Sequence, residues 1–398
     1  MLFRSRGKTD AVEQAATEGG LADLYRRRDR ARAEGRLYGI GFAAVVEPSI
    51  SNMGYITTVL SPEERRKAGP KSGAQAAATV GLDPLGGVLV MIDSLPQGQG
   101  HRTVTAQVVA DVFGLVPAAI RVDATLDTVK DAWSIAAGNY SSRFAGATAG
   151  AVHLAATRLR DKLAQIAAAQ LNTRPEQVHF AGGRVFAATN PKNSLSFARI
   201  AGVSHWAPAT LPDGETAALR ETVFWSPAVL AAPNEADEVN SAATYGFVFD
   251  FCGVEIDRDT GEVCIDRYVS LHDAGRILNP ALFDGQVRGA FAMAIGAALY
   301  ERFIYDKGGI FLTGSFADYA VPTAGMVPEL TILHRETASP VTPLGAKGVA
   351  EGNSMSTPVC IANAVADALG VADLELPLTP PRVLELLRAA GRRLATRA

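Results

Sequence analysis

Between Thr342 and Ala368 the sequence runs Thr-Pro-Leu-Gly-Ala-Lys-Gly-Val-Ala-Glu-Gly-Asn-Ser-Met-Ser-Thr-Pro-Val-Cys-Ile-Ala-Asn-Ala-Val-Ala-Asp-Ala. It sets one carboxylate, Glu351, in a glycine-rich loop ahead of a helix of small residues. Such a loop can hold a reactive acid against a bulky ligand. Gly345, Gly348 and Gly352 allow backbone conformations closed to other residues and leave space for a ligand to approach. Free N–H groups at the start of the next helix favour an anion beside them. Lys347, four residues before Glu351, can hold a phosphate, oppose the acid's charge or point into solvent. A lone loop glutamate is ordinarily a solvated charge, so the rest of the chain must supply the remainder of any site.

Three further groups carry suitable chemistry. Gly98-Gln99-Gly100-His101, followed by Thr103 and Gln107, falls between a strand at Val88–Asp93 and a helical pattern over Thr105–Phe113. A strand, a glycine turn and a helix make a cradle for a polar ligand. Tyr140-Ser141-Ser142-Arg143, with Gly146, precedes a long alanine-rich helix from about 145 to 170. Asn279-Pro280 opens a helix over about 283–300 that contains Gly285, Gln286, Gly289 and Gly296. Glycines inside a helix cost about 1 kcal/mol each, so these three imply close contact with a neighbouring backbone or a ligand.

The remaining elements frame these groups. Residues 10–35 are charged and helix-prone, either a solvated helix or an arm on a neighbouring chain. A strand is predicted at Gly39–Val46, short strands near Val178 and Arg184, and a hairpin from Tyr245–Ile256 and Glu262–His272 around Asp259-Thr-Gly261. The Pro- and Ala-rich stretch 206–243 reads as a connection between two lobes, and a final helix is predicted over 380–395. The expected fold is α/β (α+β), with an N-terminal arm at 1–35, a first lobe at 36–240 and a second at 241–398.

With 398 residues, 48% hydrophobic and 20% charged, the chain can build a sizeable core. A net charge of −3 offers no basic footprint for nucleic acid or an anionic membrane surface. No apolar run of about eighteen residues and no secretory h-region is evident, so a cytoplasmic protein with no membrane span is expected. Cys252, Cys264 and Cys360 are too few for a conventional iron–sulfur cluster and read as buried, reduced thiols. No phosphate-loop or dinucleotide fingerprint occurs, and Ser141, Ser142 and His101 lack a nucleophile-elbow setting.

Taken in order, these motifs resemble the molybdopterin-binding large subunit of the xanthine oxidase family, the molybdenum hydroxylases. The Gly345–Glu351 loop resembles the family's Gly-Ala-Lys-Gly-Val-Gly-Glu, with Ala350 replacing a glycine. The Gly98–His101 loop, the Tyr140–Arg143 turn and the Asn279–Gly289 helix, with Glu301 after it, are similar to its other cofactor loops. The likeness covers the chain from about residue 35 onward. It implies a two-lobed molybdenum-cofactor-binding domain, with cofactor contacts from Gly98, Gln99, Gly100, His101, Ser141, Ser142, Arg143, Gln286, Lys347 and Gly348. The metal is then held through the pterin dithiolene, with no protein ligand. Glu351 becomes the base in hydroxylation of an electron-poor carbon with water-derived oxygen. A base works best with a pKa near the working pH, and burial beside an anionic centre raises a glutamate's.

The resemblance further implies the cytosine dinucleotide form of the cofactor, and partner subunits carrying [2Fe–2S] clusters and FAD. Phe42 resembles an aromatic that stacks over flat substrates, with core packing as the alternative. Aromatic N-heterocycles or aldehydes are the expected small-molecule substrates. The family's large subunits are about twice as long, so a second chain is expected to supply the N-terminal half. Met293 stands where the family commonly has a cofactor-contacting glutamine. The rival expectation is a non-catalytic scaffold that keeps the fold.

Overall fold

The computed structural model describes residues 6–395 apart from 53, 70–72, 74, 128, 130–137 and 213–217. The first five residues, part of the stretch judged for an export signal, lie outside that set. One lobe centres on a four-stranded sheet in the order β1 (Leu37–Ser51), β9 (Ala242–Ile256), β10 (Val263–Asp273), β11 (Leu330–Arg335). The predicted hairpin forms its centre, with β9 and β10 antiparallel, and β11 joins parallel to β10. Strand β1 pairs with β9 from Leu37 to Ser51. Residues 37–51, expected in the first lobe, therefore form the edge strand of the second.

Alternation along β9 divides this sheet's faces, because successive side chains point to opposite sides. Phe247, Phe249 and Phe251 meet Ala11, Ala15, Leu24 and Ala31 of α1 (Arg6–Glu18) and α2 (Leu21–Ala33). The charged N-terminal segment is thus a helical pair packed on this chain's own sheet. It is tied there by Arg27 to Asp266 at 3.0 Å. Cys252 and Val254 face the other way, towards α7 (Pro280–Leu299) and α8 (Gly352–Leu369), which bury Phe291, Ile295, Cys360, Ile361 and Ala364. Helix α8 lies directly on β1. A Cβ at Gly41 would overlap the Cys360 carbonyl oxygen, and one at Gly39 the Ala364 carbonyl oxygen, so glycine alone allows this approach. Helix α9 (Pro380–Ala395) closes the lobe.

The other lobe carries the sheet β4 (Ile120–Asp123), β3 (Val88–Ile92), β2 (Ala76–Leu82), β8 (Arg220–Trp225). Beside it lies an antiparallel meander of β5 (Val178–Ala181), β6 (Arg184–Ala187) and β7 (Asn190–Ser196). Strand β8 comes from the stretch expected to be a plain connection; its pairing partner β2 supplies the order that its composition conceals. Helices α4 (His101–Phe113), α5 (Ala149–Leu171) and α6 (Phe197–Trp206) cover these strands, and α3 (Pro62–Ala68) begins with a Ser61–Glu64 capping box. Alanines 151, 155, 156 and 167 of α5 are fully buried, as its composition predicts. Of the thiols, Cys252 and Cys360 are buried, with sulfurs 3.6 Å apart, whereas Cys264 is exposed, contrary to expectation.

Candidate active site

The two lobes meet at a cleft of about 570 Å³ whose lining includes Gln99, His101, Ser141, Ser142, Gln286, Lys347 and Glu351. Four separate sequence motifs thus converge on one cavity, within the usual size range of small-molecule sites. The Glu351 loop is held from both sides. Lys347 N–H donates to the Ala274 carbonyl at 2.8 Å, and Arg276 N–H to the Gly345 carbonyl at 3.0 Å. Gly150 of α5 faces Pro343, where a Cβ would lie 2.8 Å from the proline ring. Glu351 itself is the N-cap of α8 and is exposed. The burial expected around it is not supplied by the described residues of this chain.

A buried carboxylate anchors the helix behind Glu351. Asp250, on β9, is fully buried and accepts hydrogen bonds from Tyr268 at 2.6 Å, Ser270 at 2.5 Å and Ser356 at 2.6 Å, and from Asn353 at 3.3 Å. Burial pushes its pKa up, against the pull of those donors. Asn353 and Ser356 lie in the first two turns of α8.

The Gly98–His101 loop bears a neutral wall. Asn139 Nδ2 donates to the Leu95 carbonyl, so its Oδ1 accepts from Ser94 Oγ at 2.9 Å. Ser94 has one proton, so its contact with His101 Nδ1 at 3.2 Å assigns that proton to the imidazole and leaves Nε2 bare. The ring stacks on Phe144 at 3.8 Å between centroids. Burial lowers its pKa to about 4, so His101 is neutral at neutral pH. Gly98 and Gly100 do not line the cleft; both take left-handed backbone, φ 96° and 80°, and carry the turn that places Gln99.

Strain collects at the other wall. Ile50, Ser141 and Ser142 have φ of 59°, 56° and 44°, conformations that non-glycine residues rarely adopt and that recur at functional sites. Ser51 N–H donates to Ser141 Oγ at 2.9 Å. A π-turn over Phe144–Thr148 leads into α5, another feature frequent at such sites. On the third wall Asn279 caps α7 and donates from Nδ2 to Gln107 Oε1 at 2.9 Å, joining α7 to α4 across the lobes.

Four candidates have settings of their own. Arg143 turns inward, its guanidinium 4.0 Å from Asp93 and bonded to the Gln75 carbonyl, so it braces the serine turn from behind. Phe42 lies outside the cleft, beside Phe249 and Phe251 with centroids 6.3 and 6.4 Å away. It belongs to the core under α1 and α2. Gly348 is walled by Ser142 and Ser49, and its N–H donates to Ser49 Oγ at 3.1 Å. Lys347 is not surface-facing: its ammonium reaches Asp273 at 3.3 Å and Thr337 Oγ1 at 2.8 Å. Of the three helix glycines, Gly285 and Gly289 meet nothing among the described residues, whereas Gly296 is closely walled by Glu301 and Pro322. Met293 is exposed and outside the cleft.

Arg276, Gln97, Asn139 and Asn279 also line the cavity. Sequence reasoning passed over Arg276, although a cation in the turn Asp273-Ala-Gly-Arg276 between a strand end and a helix cap is a readable signal. The donor set of neutral amides, hydroxyls, loop N–H groups and one arginine suits a pterin edge and a phosphate tail.

Comparison with known proteins agrees with this donor set. Residues 14–328 match the molybdopterin cofactor-binding domain model. The nicotine 6-hydroxylase large subunit of Paenarthrobacter nicotinovorans is 33% identical over 91% of this chain and 42% of its own length. The carbon monoxide dehydrogenase large chain of Hydrogenophaga pseudoflava is 30% identical over 77% and 36%. Among solved structures, quinoline 2-oxidoreductase from Pseudomonas putida 86 superposes with a TM-score of 0.79 and 30% identity, covering 95% of this chain and 45% of that one. The chain belongs to the xanthine oxidase family of molybdenum hydroxylases. It spans under half the length of these relatives.

Proposed function

We propose that this chain is the cofactor-holding, base-bearing part of a cytoplasmic molybdenum-dependent hydroxylase, which inserts water-derived oxygen at an electron-poor carbon. The carrying observation is the position of Glu351, the one carboxylate among the described lining residues, on the wall of a cleft that also presents neutral amides, hydroxyls and two cations, Lys347 and Arg276. Molybdopterin, in its cytosine dinucleotide form, would be held by Gln99, Ser141, Gln286 and the loop amides, with Arg276 available to its phosphates. When bound, that group supplies the oxygen and accepts the electrons. Glu351 takes the proton released at the reacting oxygen, and the tie between Lys347 and Asp273 keeps the lysine's charge from collapsing onto it. Aromatic N-heterocycles are the favoured substrate class, since two of the relatives are named for nicotine and quinoline.

The reading also includes partners. Glu351 is exposed, and Phe303, Tyr305, Ile310 and Phe316 are between 60% and 88% exposed on the segment after α7. Lone exposed hydrophobics are ordinary, but a run of them marks a surface that something covers. The N-terminal half of the family's large subunit, on a second chain, is the proposed cover, with [2Fe–2S] and FAD subunits carrying electrons away. Elemental and nucleotide analysis of the protein isolated with whatever co-purifies tests the whole reading. Molybdenum and cytidine monophosphate near one equivalent are expected, and Glu351→Gln should keep both while turnover disappears. Absence of molybdenum from a folded complex would refute it.

A further inference from the structure

Glu47, on the inward side of β1, is 5% exposed and lies against the Glu351 loop. Its Oε1 is 2.6 Å from Ser142 Oγ, and Ser142 Oγ also contacts the Ala350 carbonyl oxygen. A hydroxyl carries one proton, and a peptide carbonyl can only accept. If Glu47 is ionised, one of these two oxygen–oxygen contacts has no proton in it. If Glu47 is protonated, both are satisfied: the carboxyl donates to Ser142, and Ser142 donates to Ala350.

A second observation agrees. Glu47 Oε2 is buried without any hydrogen-bond partner among the described residues. Leaving half of a carboxylate's charge unsolvated is far costlier than leaving a neutral carbonyl oxygen there. Ser142, Gly246 and Gly352, which face Glu47 from other elements, are uncharged. The charged group acting on it is Glu351, whose carboxylate disfavours a second negative charge nearby. Lys347, the nearest basic residue of that loop, is engaged by Asp273.

We propose that Glu47 is a neutral, proton-donating carboxylic acid in the working site. Through Ser142 it positions the Ala350–Glu351 peptide and thereby the Glu351 carboxylate. It is a positioning residue, since it acts through Ser142 and the peptide and not on the reacting atoms. Its link to catalysis rests on the role of Glu351 given above, whereas its protonation does not.

Infrared difference spectroscopy with carbon-13 glutamate, on the full chain with its co-purifying partners at pH 7, separates the two. Wild-type protein should show the carbonyl stretch of a protonated glutamic acid, and Glu47→Gln should lack it. Buried Asp250 is unlabelled and drops out of the comparison. The same band in both proteins, or in neither, overturns the proposal whether or not the enzyme turns over. In active protein, Glu47→Gln retains a donor towards Ser142 and Glu47→Leu does not. The glutamine variant should therefore exceed the leucine variant in kcat by about tenfold, the value of one hydrogen bond left unmade. Equal losses in two folded variants would show that Glu47 only fills space.

Discussion

Asp250 gives the sharpest test of how the fold holds its candidate base. Asp250→Ala removes both acceptor oxygens, but the donors differ in what remains to them. Ser356 can fall back on the Gly352 carbonyl at 3.2 Å, Asn353 on Ser270 at 3.0 Å, and Ser270 on His272 Nε2 at 2.9 Å. Tyr268, fully buried, keeps only the Cys360 sulfur, a weak acceptor that leaves its hydroxyl all but orphaned. One orphaned hydroxyl costs about 1–3 kcal/mol, and three weakened bonds about 0.5 kcal/mol each, so alanine should cost about 2.5–4.5 kcal/mol. Asn is different. Its amide oxygen can keep Tyr268, Ser356 and Asn353, while its NH2 donates to Ser270, whose proton then turns to His272. Burial lowers the His272 pKa to about 3, so that ring is neutral and able to accept. Asn should cost under about 1 kcal/mol. At about 2.1 cal/mol/K per residue, a cooperative unit of this length shifts by about 1.2 °C per kcal/mol. Calorimetry should then show a fall of about 3–5 °C for alanine and about 1 °C for asparagine. Hydrogen exchange should speed up in the first turns of α8 in the alanine variant only. Equal shifts in the two variants would refute this account of the network.

Gly41→Ala should destabilise by about 1–3 kcal/mol through overpacking and lower turnover by displacing α8, read by melting temperature and kcat together. Lys347→Met takes the cation from half-buried Asp273, which keeps the Gly275 and Thr337 N–H donors, at a cost of about 1.5–3 kcal/mol; adding Asp273→Asn should recover most of it, seen in a double-mutant cycle. His272 has a folded pKa below its unfolded one, so the unfolded chain binds more protons between about pH 3 and 6.5. Its contribution is therefore full above about 6.5 and lost as pH falls towards 3. A His272→Gln variant should show a shallower decline of melting temperature across that window. Phe316→Ser should weaken association with partner chains by about tenfold if it is an anchor, measured by analytical ultracentrifugation, and leave the melting temperature of the separated chain unchanged.

Much of the site was legible because its chemistry sits in contiguous motifs. Gln99, His101, Ser141, Ser142, Gln286 and Glu351 each stand beside a glycine or a cap that advertises a turn, and the fold brings all six to one cleft. The sequence reading failed where long-range pairing decides. Strand β1 reads as a local strand, and nothing in residues 37–51 says that its partner lies two hundred residues away. Strand β8 has no periodicity of its own and exists because β2 offers an edge. Phe42 and Arg143 carry site-like chemistry but lie one pleat or one turn from the cleft, a distinction too fine for motif spacing. Glu47 and Asp250 were missed for the opposite reason. Each is a single acid inside an apolar strand, Val45-Val-Glu47 and Phe249-Asp-Phe251, and such an acid is itself a signal, because burying it requires partners.

Glu351 is a loop residue, yet its placement is decided by groups on five other segments. Gly39 and Gly41 let α8 lie against β1, and without that approach its N-terminus would stand away from the sheet. Asp250 then ties the first two turns of α8 to β9 and β10. Ser142, in its strained turn, holds the Ala350 carbonyl immediately before the candidate base, and β10 and the loop after β11 hold Lys347 through Asp273 and Thr337. The strain at Ile50, Ser141 and Ser142 fits this division of labour. It costs of order 1–3 kcal/mol per residue, which isolated loops do not sustain but a junction of two packed lobes can. The candidate base is therefore precise only while both lobes are docked. Loosening either lobe should lower kcat before it lowers the amount of folded protein.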